Sequence, residues 1–296
     1  MEAKDRNFRE LLEAQWDRDK FVCVGLDSDL AKIPESEQVV DPEHPEAFLG
    51  LDPESTIFGF NEYIIDATHD LVCAYKPNVA FYEAYGDRGW LALQETIKYI
   101  RSVAPDVPVI LDAKRADIGN TNKCYARMAF EYLEADAITV HPYFGGEALQ
   151  PFLDYKNKGI FVLCRTSNPE SGEFQSWDIS GDGIPNGYMP LFRFVAYQVS
   201  HHWNKNRNCG VVAGATHPAE LGEIRGTVGD MPILIPGIGK QGGDVEATVK
   251  AGQDSHGRGM IINSSSAIIF AKDPRQETMY LDQLVNQFRK TEKERK

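Results

Sequence analysis

Apolar residues fall in eight short, β-rich runs along the chain: Phe21–Leu26, Val72–Tyr75, Val107–Leu111, Ala137–Val140, Ile160–Cys164, Gly210–Ala213, Ile233–Ile235 and Met260–Ile262. Most are continuous rather than alternating, the pattern of parallel strands buried on both faces. Between them, Phe58–Leu71, Trp90–Val103 and Asn120–Glu134 carry apolar residues at helical spacing, and Asp282–Lys296 reads as an amphipathic, frayed terminal helix. Eight β units alternating with helices predict a single-domain α/β protein, a (β/α)8 TIM barrel over residues 1–296. A doubly wound open sheet is the alternative that strand counting leaves standing. Two connections exceed simple turns, near residues 28–57 and 168–190, and read as insertions or lids. In a barrel each would follow the C-terminal end of a strand, on the face where active sites are built.

The chain is 296 residues long with a formal net charge of -13. That charge works against long-range attraction to nucleic acid or to an anionic membrane surface. No apolar run approaches membrane-spanning length, and the charged N-terminus carries no apolar signal segment. Of five cysteines, Cys23, Cys73, Cys164 and Cys209 sit inside apolar runs and read as reduced core residues, which suits a cytoplasmic protein. No His/Cys/Glu cluster has metal-ligand spacing.

Polar groups gather where the strand runs end. The first run ends in Asp27 and the second in Lys76 and Asn78. The third runs into Asp112-Ala113-Lys114-Arg115-Ala116-Asp117. Strand alternation turns Asp112 and Lys114 to one face, and a buried Asp is expensive without an adjacent cation. By itself this charged string also fits a solvated helix start. The glycine-rich stretch Gly237–Gly243, after the seventh run, is a phosphate-loop candidate, because glycines let backbone N–H groups approach an anion. A plain turn is its other reading. His141, His201, His202 and Trp177 read as rim, solvated or loop residues.

The segment from Leu111 to Thr121 resembles the Asp-x-Lys-x-x-Asp-Ile motif of the orotidine 5'-phosphate decarboxylase family. Tyr75–Glu83, Thr166–Pro169, Gly210–Thr216 and Ile235–Asp244 resemble further blocks of its type 2 subfamily, in the same order. The resemblance implies decarboxylation of orotidine 5'-phosphate to UMP in pyrimidine biosynthesis, without metal or cofactor. It implies a catalytic Lys76, Asp112, Lys114, Asp117 array in a homodimer, where Asp117, Ile118 and Thr121 serve the neighbouring subunit's site. Asp27 would contact the ribose, Ser167 (or Thr166) the pyrimidine, and Gln241 and Gly242 the phosphate.

One position departs from the family. Ser266 stands where an Arg that grips the phosphate is expected, and a hydroxyl brings no charge. Lys240 or Arg258 could supply that charge. Otherwise the affinity is weaker, or the chain is a catalytically impaired pyrimidine-nucleotide-binding homologue. Lys76 argues against a Mg2+-dependent sugar-phosphate decarboxylase, which carries Glu at that place. The flanking Asp residues argue against a Schiff-base aldolase, which needs a Lys of lowered pKa.

Overall fold

The computed structural model describes residues 6–239 and 243–289, apart from the side chain of Asn186. Each of the eight apolar runs overlaps a strand: β1 (Val22–Leu26), β2 (Ala74–Pro77), β3 (Ile110–Arg115), β4 (Ala137–Val140), β5 (Gly159–Arg165), β6 (Cys209–Ala213), β7 (Ile233–Pro236) and β8 (Met260–Ser264). They pair in parallel around the order β2-β1-β8-β7-β6-β5-β4-β3. The remaining seam is bridged by Tyr75 with Val109 and Asn78 with Asp112, which closes the sheet into a barrel. The open-sheet alternative is thereby excluded, and the fold is a single-domain (β/α)8 barrel. Strands buried on both faces need apolar side chains at successive positions, which is why the runs were continuous.

Local chemistry sets the helix starts. Asp52 and Asp273 accept N-terminal N–H groups of the helices Pro53–Thr68 and Pro274–Phe288, each with proline in its first turn. The terminal helix therefore begins eight residues before the start expected at Asp282, and residues beyond Arg289 lie outside the described part. The apolar period alone placed it too late, because the Asp273-Pro274 cap is the stronger signal. The stretch expected as one helix over Asn120–Glu134 is α-helical over Gly119–Arg127, then widens into a π turn over Met128–Tyr132.

The helix Phe8–Trp16 closes the N-terminal end of the barrel. Trp16 is fully buried and its indole N–H donates to the Met260 carbonyl at 2.9 Å. Phe8 packs edge-to-face on Phe161, with ring centroids 5.5 Å apart. Gly159 makes that packing possible, since a Cβ there would lie 2.5 Å from the Phe8 ring.

Both long connections leave the C-terminal ends of strands. Residues 28–57 hold short 3-10 turns before the helix at Pro53. Residues 168–190 form a one-turn helix (Gly172–Gln175) and a two-stranded hairpin, Asp178–Ser180 against Tyr188–Pro190. Trp177 lies on that segment, largely exposed, with its carbonyl accepting from Leu191 N. His201 is exposed but belongs to a π turn, stacked on Tyr197 at 4.2 Å between ring centroids. Cys23, Cys73, Cys164 and Cys209 are buried free thiols, and Cys124 is an exposed one.

Candidate active site

A cavity of about 420 Å3 opens at the C-terminal mouth of the barrel. Asp27, Lys76, Asp112, Lys114, Thr166, Ser167 and Ser266 all line it, although they come from five different strand ends. The parallel strand directions bring them together, since every β-to-α connection leaves at this face.

Three charges form its floor. Asp112 is buried and its carboxylate sits between two ammonium groups. Lys76 Nζ is 2.8 Å from Oδ2, and Lys114 Nζ is 2.7 Å from Oδ1. Lys76 is itself buried and lies 3.8 Å from Asp27 Oδ1. Burial would lower the pKa of Lys76, but the carboxylates of Asp112 and Asp27 overrule it and hold the pKa raised. Burial would raise that of Asp112, but Lys76 and Lys114 pull it well below the ordinary carboxylate range. Lys76 and Asp112 are therefore both charged at neutral pH. Lys114 is half exposed, so its ammonium faces the cavity as well as Asp112.

The backbone beneath Lys114 is unusual. Its φ is +47°, a left-handed conformation that costs a lysine on the order of 1–2 kcal/mol. The β3–β4 register breaks between Leu111 and Arg115. Simple strand alternation is thus not what brings Asp112 and Lys114 together: a bulge does. Bulges and strained residues of this kind gather at functional sites.

The other predicted positions divide into two groups. Asp117, Ile118 and Thr121 lie outside the cavity of their own chain. Asp117 is partly exposed, and its main chain is held by Asn122, whose Oδ1 accepts from Asp117 N at 2.9 Å. Ile118 is 64% exposed. Thr166 and Ser167 are on the cavity wall, where the Thr166 hydroxyl already bonds Asn168 and Gln175. Gly214 lets Ser167 approach, because a Cβ at that glycine would fall 2.8 Å from Ser167. Gly237 and Gly239 have φ of +104° and +98°, so the turn after β7 requires glycine. Lys240, Gln241 and Gly242 lie outside the described residues.

Ser266 begins a one-turn helix at the cavity edge. Arg258 cannot supply the missing charge. It precedes β8, at the opposite end of the barrel, and pairs there with Asp17. Three further polar groups line the cavity that the motif reading passed over, Thr139, Asn263 and Ser265. Each was visible as a polar residue inside or just after an apolar strand run. Asn263 Oδ1 and Asp27 Oδ1 are buried acceptors that find no hydrogen-bond donor among the described residues.

The chain is similar to known proteins over most of its length. Residues 22–279 match the model of the orotidine 5'-phosphate decarboxylase / HUMPS family. The chain is 46% identical over 268 residues to an orotidine 5'-phosphate decarboxylase of Cellvibrio japonicus, covering 90% of this chain and 91% of the relative. It is 45% identical over 285 residues to that of Cupriavidus metallidurans, covering 96% and 97%. The solved OMP decarboxylase of Leishmania donovani superposes with a TM-score of 0.79 at 35% identity, covering 95% of this chain and 98% of that one. With the family model matching residues 22–279, relatives 45–46% identical over almost the whole chain and a matching fold, the chain belongs to the orotidine 5'-phosphate decarboxylase / HUMPS family.

Proposed function

We propose that this chain decarboxylates orotidine 5'-phosphate to UMP and CO2, with Lys114 as the proton donor. The observation that carries the reading is the Lys76–Asp112–Lys114 array on the cavity floor, with one ammonium group on each carboxylate oxygen. Cleavage of the C6–carboxylate bond leaves its electron pair on C6, in the ring plane, where the π system cannot absorb it. A fixed ammonium beside that carbon stabilises the developing charge and then delivers its proton. Asp112, whose Oδ1 accepts from Lys114 Nζ at 2.7 Å, aims that ammonium. Lys76, buried below, compensates Asp112 so that the carboxylate persists in a dry site. The scheme draws its electrophile from lysine and assigns no step to a metal or cofactor.

Asp27, with an acceptor oxygen at the cavity wall that takes no hydrogen bond among the described residues, suits a ribose hydroxyl. Ser167, or Thr166 beside it, suits the pyrimidine edge. The glycine turn after β7 suits the phosphate, with Gln241, Gly242 and Ser266 as its ligands. Phosphate binding far from the reacting carbon supplies energy that positions the ring.

The array as seen in one chain lacks its second aspartate, and Asp117 is not among the residues that line its own cavity. The reading is completed by a homodimer in which Asp117 of the partner subunit reaches Lys114, with Ile118 and Thr121 beside it. Tyr143 and Phe144, 87% and 52% exposed at the adjacent strand end, support a covered surface there. The Thr166–Pro169 and Ile235–Asp244 blocks support placement in the type 2 subfamily. The buried free thiols support a reducing, cytoplasmic setting. The two long segments, 28–57 and 168–190, belong to the mouth of the barrel, and the second supplies Gln175 to Thr166.

UV-monitored turnover of orotidine 5'-phosphate, with excess EDTA and beside Lys114→Ala, tests the reading. Turnover that survives EDTA and collapses in the variant is expected. A folded protein that binds UMP yet shows no turnover would instead favour the impaired nucleotide-binding homologue, for which Ser266 is the one specific observation.

A further inference from the structure

Between Leu111 and Arg115, β3 carries three residues where β4 carries one. The register runs Ile110 to Ala137, Leu111 to Ile138, then Arg115 to Val140. Asp112, Ala113 and Lys114 therefore stand opposite Thr139 alone. The ordinary ladder cannot serve this stretch, and the Thr139 side chain takes over. Its hydroxyl oxygen accepts from Lys114 N at 2.9 Å and its proton goes to Asp112 Oδ1 at 2.8 Å. Thr139 is buried, so no bulk water competes for either bond.

One hydroxyl thus links the carboxylate oxygen that grips the Lys114 ammonium to the backbone of Lys114 itself. It holds a left-handed main chain, φ +47°, that has no glycine to relieve it. It also fixes which way Asp112 Oδ1 points, and so where Lys114 Nζ, 2.7 Å from that oxygen, can sit. We infer that Thr139 is a positioning residue for the decarboxylation: its hydroxyl bridges Asp112 and the Lys114 main chain and so sets the placement of the Lys114 ammonium against the reacting carbon. The inference rests on the role given to Lys114 above.

A β-branched residue of nearly the same shape without the hydroxyl separates this role from packing. In Thr139→Val the ammonium loses its fixed position while the substrate contacts stay. Misplacement at this scale lowers kcat on the order of 10- to 100-fold, with KM changed by no more than about threefold. Thr139→Ser keeps the hydroxyl, loses the methyl and restores most of kcat. Steady-state kinetics of both variants, each checked by its melting temperature, decide the matter. If Thr139→Val does not fold, Thr139→Ala takes its place in the comparison. The inference is overturned if the hydroxyl-free variant keeps kcat within about threefold of the unaltered enzyme, or if Thr139→Ser falls as far as it does. The failure of the Lys114 assignment reads differently. In that case Lys114→Ala itself remains active, whatever Thr139 does.

Discussion

Lys76 Nζ lies 2.8 Å from Asp112 Oδ2, with both side chains buried on neighbouring strands that pair only through isolated bridges. The ion pair thus spans the seam where the barrel closes. Removing one member of a buried pair leaves the other uncompensated, which costs about 3–5 kcal/mol when nothing else is near. Here Lys114 still contacts Asp112, so Lys76→Ala should lose about 2 kcal/mol of stability along with turnover. Urea denaturation of the variant beside the unaltered protein checks the value, and an unchanged midpoint would mean that water solvates Asp112 in the open cavity.

Ser266 borders the cavity with a hydroxyl, and Arg258, which might have replaced the expected charge, is at the far end of the barrel. Ser266→Arg should therefore tighten binding of the phosphorylated substrate. A charge-assisted bond to phosphate is worth about 1.5–3 kcal/mol, or on the order of tenfold or more in KM. Titration with UMP and with uridine separates the effect, which should appear for the nucleotide alone. No gain for UMP would assign the phosphate charge to another group.

The dimer reading predicts complementation. Lys114→Ala and Asp117→Ala should each be inactive alone. In a mixed dimer one site is doubly altered and the other is wholly intact. Random exchange makes half of the dimers mixed, so activity should recover to about a quarter of the unaltered level. Recovery that never appears, with exchange verified by mass, would place Asp117 outside the partner's site.

Away from the site, Asp282 provides a pH prediction. Burial pushes its carboxyl up to about 6, against the opposing hydrogen bonds from Asn286 and Phe21. The unfolded value is about 3.9, so the folded chain holds the extra proton between these limits. Its contribution to stability is then greatest at the acid end and declines as pH rises through 6. Asp282→Asn removes the charge. It should raise stability at pH 7.5 by about 1 kcal/mol, discounted because the group is partly exposed, and change little near pH 4. Melting curves at both pH values test this. Equal gains at both would point to packing rather than titration.

Much of the fold was legible because parallel strands buried on both faces must be apolar at every position. That requirement wrote the eight runs, from Phe21–Leu26 to Met260–Ile262, directly into the sequence. Helix limits were less legible. They depend on single caps such as Asp273 with Pro274, which a window of apolar spacing averages away. Lys76, Asp112 and Lys114 stood out because charged residues rarely end a buried strand without a reason. Thr139 did not, since a threonine is an ordinary strand former and its role exists only opposite the bulge.

What the sequence alone determined is therefore the alternation of strand and helix, the polar residues at the strand ends, and the charge pattern that names Lys114 and its aspartate. Those are local properties, fixed by periodicity and by the cost of burying an unpaired charge. The tertiary structure decided what they become together. Closure of the barrel at Tyr75–Val109 and Asn78–Asp112 places Lys76 on Asp112. The broken β3–β4 register turns Lys114 onto the same carboxylate and hands its main chain to Thr139. It also leaves Asp117 outside its own cavity and puts Arg258 at the wrong end. Such relations depend on strand register and barrel closure, contacts between residues far apart in the chain that no local pattern encodes.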